Sequence, residues 1–351
     1  MPRMPPAPST ASADAASDAP WTTRRLLHWT TRHFESRGID SPRVCAEMLL
    51  GHVLGVERLR LYMEPDRPAA ADERDRFRAL VTRAAAHEPV DYLVGRAPFF
   101  GLELEVGPDV LIPRPSTETI VEFVLQDART RGRAMPAIAA RASDANSDAN
   151  SEASSEASSE ADPDEAADSA SSVAPAPPLV LTLADVCTGS GAVAVALTRH
   201  LPGARAVATD LSEAALAVAA RNAAAAGVAD RIDLRPGDLY APLNGERFDY
   251  LLANPPYIRD AEWADVAANV RDHEPVTALR SGVDGLDHLR PLISRAAEHL
   301  NPGGVALFEH AASQEDEVLA LARDSGFNDA RVLRDHERLP RVLVLTRPSG
   351  G

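Results

Sequence analysis

Cysteine is scarce: the 351 residues include two, Cys45 and Cys187. They fall in differently patterned regions, and no spacing around them suits zinc, so both read as reduced thiols. Long hydrophobic runs are also missing. No stretch of about 18 apolar residues could span a membrane, and the first 20 residues lack the apolar centre of a secretory signal. A cytoplasmic location is therefore expected. Basic charge is in deficit, with 36 Lys+Arg against 52 Asp+Glu and a net charge of −16. Proteins that grip phosphates need a basic face, so no direct nucleic-acid partner is expected. The ten histidines form no HxxxH-like set, and no metal is expected. Aromatics are only 5%, but apolar residues total 45%, enough for a substantial core in two domains.

Along the chain, residues 1–20 read as a disordered tail and 21–95 as an all-helical domain. Leu26, Leu27, Trp29, Thr30 and Phe34 recur at helical spacing, Ser41-Pro42 looks like a cap with proline at the first helical position, and a further helix is expected over 71–86. Residues 96–127 read as a linking β-hairpin and a first helix. Leu102, Leu104 and Val106 alternate as one strand, Val110-Leu111-Ile112 forms the second, and the helix covers 116–126. Residues 128–178 contain the repeat SDAN-SDAN-SEAS-SEAS-SEAD, too poor in apolar groups to offset ordering entropy, and read as a disordered acidic insertion. From 179 to 348 strands alternate with helices, with two strands in succession at the end. That order predicts an α/β fold with a mostly parallel sheet and an antiparallel edge.

The first strand of this region runs into Asp185-Val186-Cys187-Thr188-Gly189-Ser190-Gly191. Small residues at a strand-to-helix turn let backbone lie close to a ligand, and the helix start offers free N–H groups. No Gly-Lys-Ser/Thr follows, so this is not a P-loop. Asp210 ends the second strand, where a carboxylate accepts from both ribose hydroxyls; an ordinary helix cap is the competing reading. Asp238 and Leu239 follow the third strand, placed for an adenine amino group and ring.

The fourth strand ends in Asn254-Pro255-Pro256-Tyr257, where α/β sheets carry active sites. The pattern suits methylation of a planar nitrogen. An amide lone pair is delocalised and must be held in line with the donor methyl. The Asn oxygen and a following carbonyl can accept both N–H groups, the prolines stiffen the loop and remove donors, and the tyrosine can stack on the flat acceptor. A bare NPPY would equally suit a turn that merely ends a strand.

With HEPVDYLVGRAPFFGLELEVGPDVLIPRPSTE (87–118), DVCTGSG (185–191), NPPYI (254–258) and HEPVTAL (273–279) in place, the chain resembles the HemK/PrmC family of release factor glutamine methyltransferases. The resemblance implies a class I Rossmann-like methyltransferase fold with a seven-stranded sheet, S-adenosylmethionine as cofactor, and a helical front domain that docks the substrate. It implies as substrate the glutamine of the Gly-Gly-Gln loop of class I peptide chain release factors, methylated on N5. It places Asn254, Pro255, Pro256 and Tyr257 at the reacting amide, with Phe100, Arg114, Pro115, Thr117 and Glu118 beside them. It assigns Asp185, Cys187, Thr188, Gly189, Ser190, Gly191, Asp210, Leu211, Asp238, Leu239 and Asn254 to the cofactor. DVCTGSG is nearer the sister group that methylates a ribosomal large-subunit protein, whereas LIPRPSTE is nearer the release-factor group.

Two other readings stay open: an adenine N6 nucleic-acid methyltransferase, which shares NPPY, and a noncatalytic binding module. Glu118 reads either as an active-site charge or as a helix-start carboxylate, and His310 as structural.

Overall fold

The computed structural model describes residues 20–131 and 180–349, so the expectations for 1–19 and 132–178 lie outside the described residues. By its contacts the chain divides into two units. Among the described residues, the first comprises those through Ala97 together with Glu103–Ile112 and Ala261–Ala278; the second comprises Pro98–Leu102 and those of Pro113–Asp260 and from Leu279 onward. Segment 261–278, expected inside the α/β domain, thus belongs to the first unit. Within that unit, the Ile112 N–H donates at 3.1 Å to Glu274, a buried carboxylate 162 residues away.

Five helices build most of the first unit: α1 (Thr23–Ser36), α2 (Pro42–Leu54), α3 (Arg58–Met63), α4 (Ala71–Ala84) and α5 (Val90–Val94). Thr22 caps α1, its hydroxyl accepting the Arg25 N–H at 3.3 Å. Of the stripe read from the sequence, Leu26, Leu27, Thr30 and Phe34 are buried, and Leu26, Leu27 and Phe34 pack with Leu49, Leu50, Val53, Phe77 and Val81. Trp29 is not on that face but 50% exposed, its ring stacked on His33 at 5.0 Å. Pro42 opens α2 as expected, but Ser41 makes no side-chain cap and sits in the left-handed region, φ 49°. Glu47 on the inner side of α2 is buried, and accepts from Arg43, Arg58 and Tyr62.

The hairpin pairs β1 (Arg96–Phe99) with β2 (Leu102–Glu105). Phe100 and Gly101 both have positive φ, 47° and 74°, the backbone of a two-residue turn matched to strand twist. Residues 110–112, expected as the second strand, form none. The pairing partner lies before the turn, because the left-handed pair reverses the chain there.

The second unit holds α6 (Glu118–Thr130) and a seven-stranded sheet of β3 (Leu181–Val186), β4 (Ala204–Asp210), β5 (Ile232–Pro236), β6 (Phe248–Ala253), β7 (Leu300–Glu309), β8 (Arg331–Arg334) and β9 (Pro340–Thr346). α6 extends past the expected insertion boundary at 128, since Ala128 is still buried on its inner face. The sheet order is β5-β4-β3-β6-β7-β9-β8, parallel through β7, with β9 antiparallel to β7 and β8 antiparallel to β9. Between strands run α7 (Ala192–His200), α8 (Glu213–Ala225), α10 (Leu289–His299) and α11 (Glu315–Asp324); the short α9 (Ala268–Arg271) lies in the first unit. The core strands are continuous apolar runs because helices cover both faces. Strand order reverses between β3 and β6, so their carboxyl ends open a crevice. No helix among the described residues is long and apolar enough to cross a membrane.

Candidate active site

The carboxyl ends of β3, β4 and β6 gather most of the residues singled out from the sequence. The turn after β3 is held from beneath by Asp185. Its carboxylate is buried and accepts from the Thr188 hydroxyl at 2.6 Å and the Ala194 N–H at 3.1 Å. Burial pushes its pKa up to about 7 against the pull of those two donors. Asp185 and Thr188 are therefore bonded to the turn itself. Cys187 has φ 60° and is only partly exposed, and burial drives its thiol pKa up. Ser190 is buried, its carbonyl taking the Asn222 amide at 2.9 Å.

The two glycines do different work. Gly191, at φ 79°, would bring an added Cβ to 3.0 Å from the Ala219 Cβ, so its smallness lets α7 and α8 approach. Gly189, at φ 55°, would meet nothing within 4 Å. Its turn thus faces open space where a ligand can lie against backbone.

Asp210 closes β4. One oxygen accepts the Gly189 N–H at 2.8 Å and the other accepts the Ser212 N–H at 2.9 Å. Burial raises its pKa, and its described partners are backbone N–H groups. It is not the helix cap; Ser212 is, accepting from Ala215 N–H at 3.1 Å. Each carboxylate oxygen can accept more than one bond, which leaves room for a diol. Leu211 next to it is 70% exposed, an apolar side chain largely open to solvent. Asp238 is exposed, and Leu239, half-buried, has φ 43°. A carboxylate with spare acceptor capacity, a bare leucine and a glycine turn facing open space together fit the ribose and ring of a nucleoside.

Asn254 follows β6, with Pro255 and Pro256 buried behind it and Tyr257 half-buried. Its Nδ2 donates to the Thr117 hydroxyl at 3.1 Å. Thr117 ends a single 3-10 turn, Pro115–Thr117, after the half-buried Arg114. Glu118 begins α6, and accepts the Phe100 N–H at 2.7 Å, so its carboxylate secures the hairpin turn. The Phe100 ring meets His200 edge-on at 5.3 Å. The Tyr257 hydroxyl points to Glu309 at 3.5 Å, and burial with that neighbouring carboxylate raises its pKa.

Glu309 and Gln314 escaped the sequence reading. Glu309 ends β7 and is fully buried; its only local signal is a charge closing the apolar run Val305-Ala306-Leu307-Phe308. Gln314, also fully buried, donates to the carbonyls of Tyr257, Asp284 and Gly285, bracing the loop after Asn254. His310 is buried beside Glu309, its pKa lowered by burial, in keeping with a structural part. No cluster of metal-ligating side chains occurs among the described residues.

Residues 25–95 match the family model of the PrmC N-terminal domain, and 159–282 match that of the methyltransferase small domain. The α/β unit therefore has the Rossmann-like methyltransferase fold. The chain is 34% identical to the release factor glutamine methyltransferase of Geobacter sulfurreducens, over 92% of this chain and 96% of that one. It is 38% identical to the protein of the same name from Chlorobaculum tepidum, again over 92% and 96%. Against that of Streptomyces coelicolor it is 36% identical over 90% and 94%. With likeness of this degree running almost end to end in both chains, this protein belongs to the release factor glutamine methyltransferase family.

Proposed function

We propose that this protein methylates the side-chain amide nitrogen, N5, of the Gly-Gly-Gln glutamine in class I peptide chain release factors. The methyl donor is S-adenosylmethionine, which supplies an electrophilic methyl group when bound. Asp210 would hold the ribose, Asp238 and Leu239 would take the adenine, and the Gly189 turn would lie along the rest. The observation that carries the reading is Asn254: its Nδ2 is already engaged by Thr117, so its Oδ1 is the end left for an acceptor N–H.

The chemistry needs positioning more than proton transfer. The amide nitrogen is a weak nucleophile, so Asn254 Oδ1 and the Pro255 carbonyl would hold its two N–H groups and orient its lone pair. Pro255 and Pro256 bring no N–H donors to the loop. Charge develops as positive on the nitrogen, and the acceptor oxygens around it stabilise that charge. The N–C bond would form as the S–C bond of the donor breaks, leaving S-adenosylhomocysteine, and the methylated amide cation is acidic enough to give its proton to water without a dedicated base. The reaction belongs in the cytoplasm, where release factors act.

Mass spectrometry of a release factor incubated with the protein and S-adenosylmethionine tests this. One added methyl on the Gly-Gly-Gln glutamine is expected, and the Asn254→Ala variant should lose about 100-fold or more in rate. A methyl found instead on a ribosomal-protein glutamine would reassign the substrate.

A further inference from the structure

Asn254 presents its oxygen for a reason that lies two side chains away. An asparagine amide has an acceptor end and a donor end of nearly the same shape. Nothing in Asn254 itself decides which end faces a substrate. The neighbours decide it.

Glu309 collects three hydroxyls. Thr117 Oγ1 donates to Oε2 at 2.7 Å, while Ser116 Oγ at 3.1 Å and the Tyr257 hydroxyl at 3.5 Å donate to Oε1. Burial raises the Glu309 pKa, and the hydrogen bonds from Thr117, Ser116 and Tyr257 and the charge of Arg341 oppose that rise. As a carboxylate ringed by three hydroxyl donors it only accepts, so each hydroxyl turns its proton toward Glu309. Thr117 has one proton. Once that proton is committed, its oxygen offers lone pairs alone, and Asn254, 3.1 Å away, can meet it only through Nδ2.

Backbone geometry makes the chain short. β6 and β7 are parallel neighbours with Ala253 opposite Phe308, so Asn254 and Glu309 are the next residues along. Thr117, at the head of α6, reaches both.

We propose that Glu309 is a positioning residue: acting through the Thr117 hydroxyl, it fixes the Asn254 amide with its oxygen toward the substrate, and so selects an N–H-bearing glutamine amide over a carboxylate. The inference rests on the proposed reaction. It accounts for a buried acid whose described hydrogen-bond partners are three hydroxyls, and for a threonine whose hydroxyl would otherwise be replaceable by a methyl.

Three variants of the full chain test it with S-adenosylmethionine and a release factor. Thr117→Val keeps shape and removes the relay, and Glu309→Gln puts an N–H where only acceptors stood. Each should lower kcat by about 10- to 100-fold, and Thr117→Ser should restore the rate to within about threefold of wild type. S-adenosylmethionine affinity by calorimetry and melting temperature should stay near wild type in both threonine variants. A release factor carrying glutamate for the target glutamine should inhibit Thr117→Val more strongly than wild type, because the Asn254 amide is then free to turn its NH2 outward. Wild-type rates in Thr117→Val would overturn the proposal. So would a Thr117→Ser variant as slow as Thr117→Val, or rate losses matched by equal losses of cofactor affinity and melting temperature. A wild-type protein that leaves the glutamine unmethylated removes the underlying reaction, and is seen before any variant is compared.

Discussion

The Asp210 carboxylate accepts the Gly189 N–H at 2.8 Å, tying the end of β4 to the glycine turn that follows β3. The same group is the proposed ribose ligand. Asp210→Ala should therefore raise the S-adenosylmethionine dissociation constant about 100-fold, at roughly 1.5 kcal/mol for each of two charged hydrogen bonds. Calorimetry reads this directly, and an unchanged constant would move the nucleoside elsewhere.

Gly285 sits under the loop that follows Asn254. At φ 74°, a Cβ there would lie 2.4 Å from the Tyr257 carbonyl and 2.5 Å from the Gln314 amide. Gly326, at φ 87°, has open space around the same position. Gly326→Ala should lose only the left-handed penalty, about 1 kcal/mol, whereas Gly285→Ala should lose at least about 3 kcal/mol by urea unfolding and slow methyl transfer. Equal losses in the two variants would mean that the loop yields freely.

Asp185 makes stability depend on pH. Its folded pKa is raised to about 7 by burial, while an unfolded aspartate titrates near about 3.9. The folded state therefore keeps a proton that the unfolded state has lost, and the stability this gives is full below about pH 4 and disappears as pH rises through about 7. Asp185→Asn lacks that term. Denaturant titrations from about pH 5 to about pH 8 should show the variant gaining on wild type as pH rises; parallel curves would contradict a protonated Asp185.

Glu47 behaves in the opposite way. Burial pushes its pKa up, but hydrogen bonds from Tyr62, Arg58 and Arg43 outweigh that and hold it below the ordinary glutamate range. Its stabilising contribution is present above the unfolded pKa and fades as pH falls through the lowered one. Arg43 and Arg58 are 44% and 52% exposed, so after Glu47→Ala they can regain water. The loss at neutral pH should be about 2 kcal/mol, short of what an enclosed pair loses, and should shrink in acid.

Much of the site could be read from residue order because its parts are local. Asp185 through Gly191 form one turn, and Asn254 to Tyr257 form one loop. The alternating β and α segments gave the sheet, since buried parallel strands are short apolar runs. What escaped was set by distant contacts. Glu309 gains its place from Thr117, 192 residues earlier. The hairpin strand Arg96–Phe99 contains Ala97 and Pro98 and shows no alternation of large side chains; the Phe100-Gly101 turn created it. Ser41 looked like a capping serine, yet its left-handed backbone leaves its side chain with no cap bond.

Helix α6 starts beside the Asn254 loop and ends at the opposite rim, where Arg131 donates to the Gly303 carbonyl near the beginning of β7. Val180 resumes the described chain next to Leu181, the first residue of β3. The border before β3 thus stands about 17 Å, one strand length, from the chemistry, and the border after α6 about 20 Å, the length of that 13-residue helix. For protein engineering this makes the segment a splice port. Removal of 140–172, or its exchange for a fluorescent reporter, should leave glutamine methylation within about twofold in the mass-spectrometric assay, because both attachment points lie at the rim away from the reacting edge.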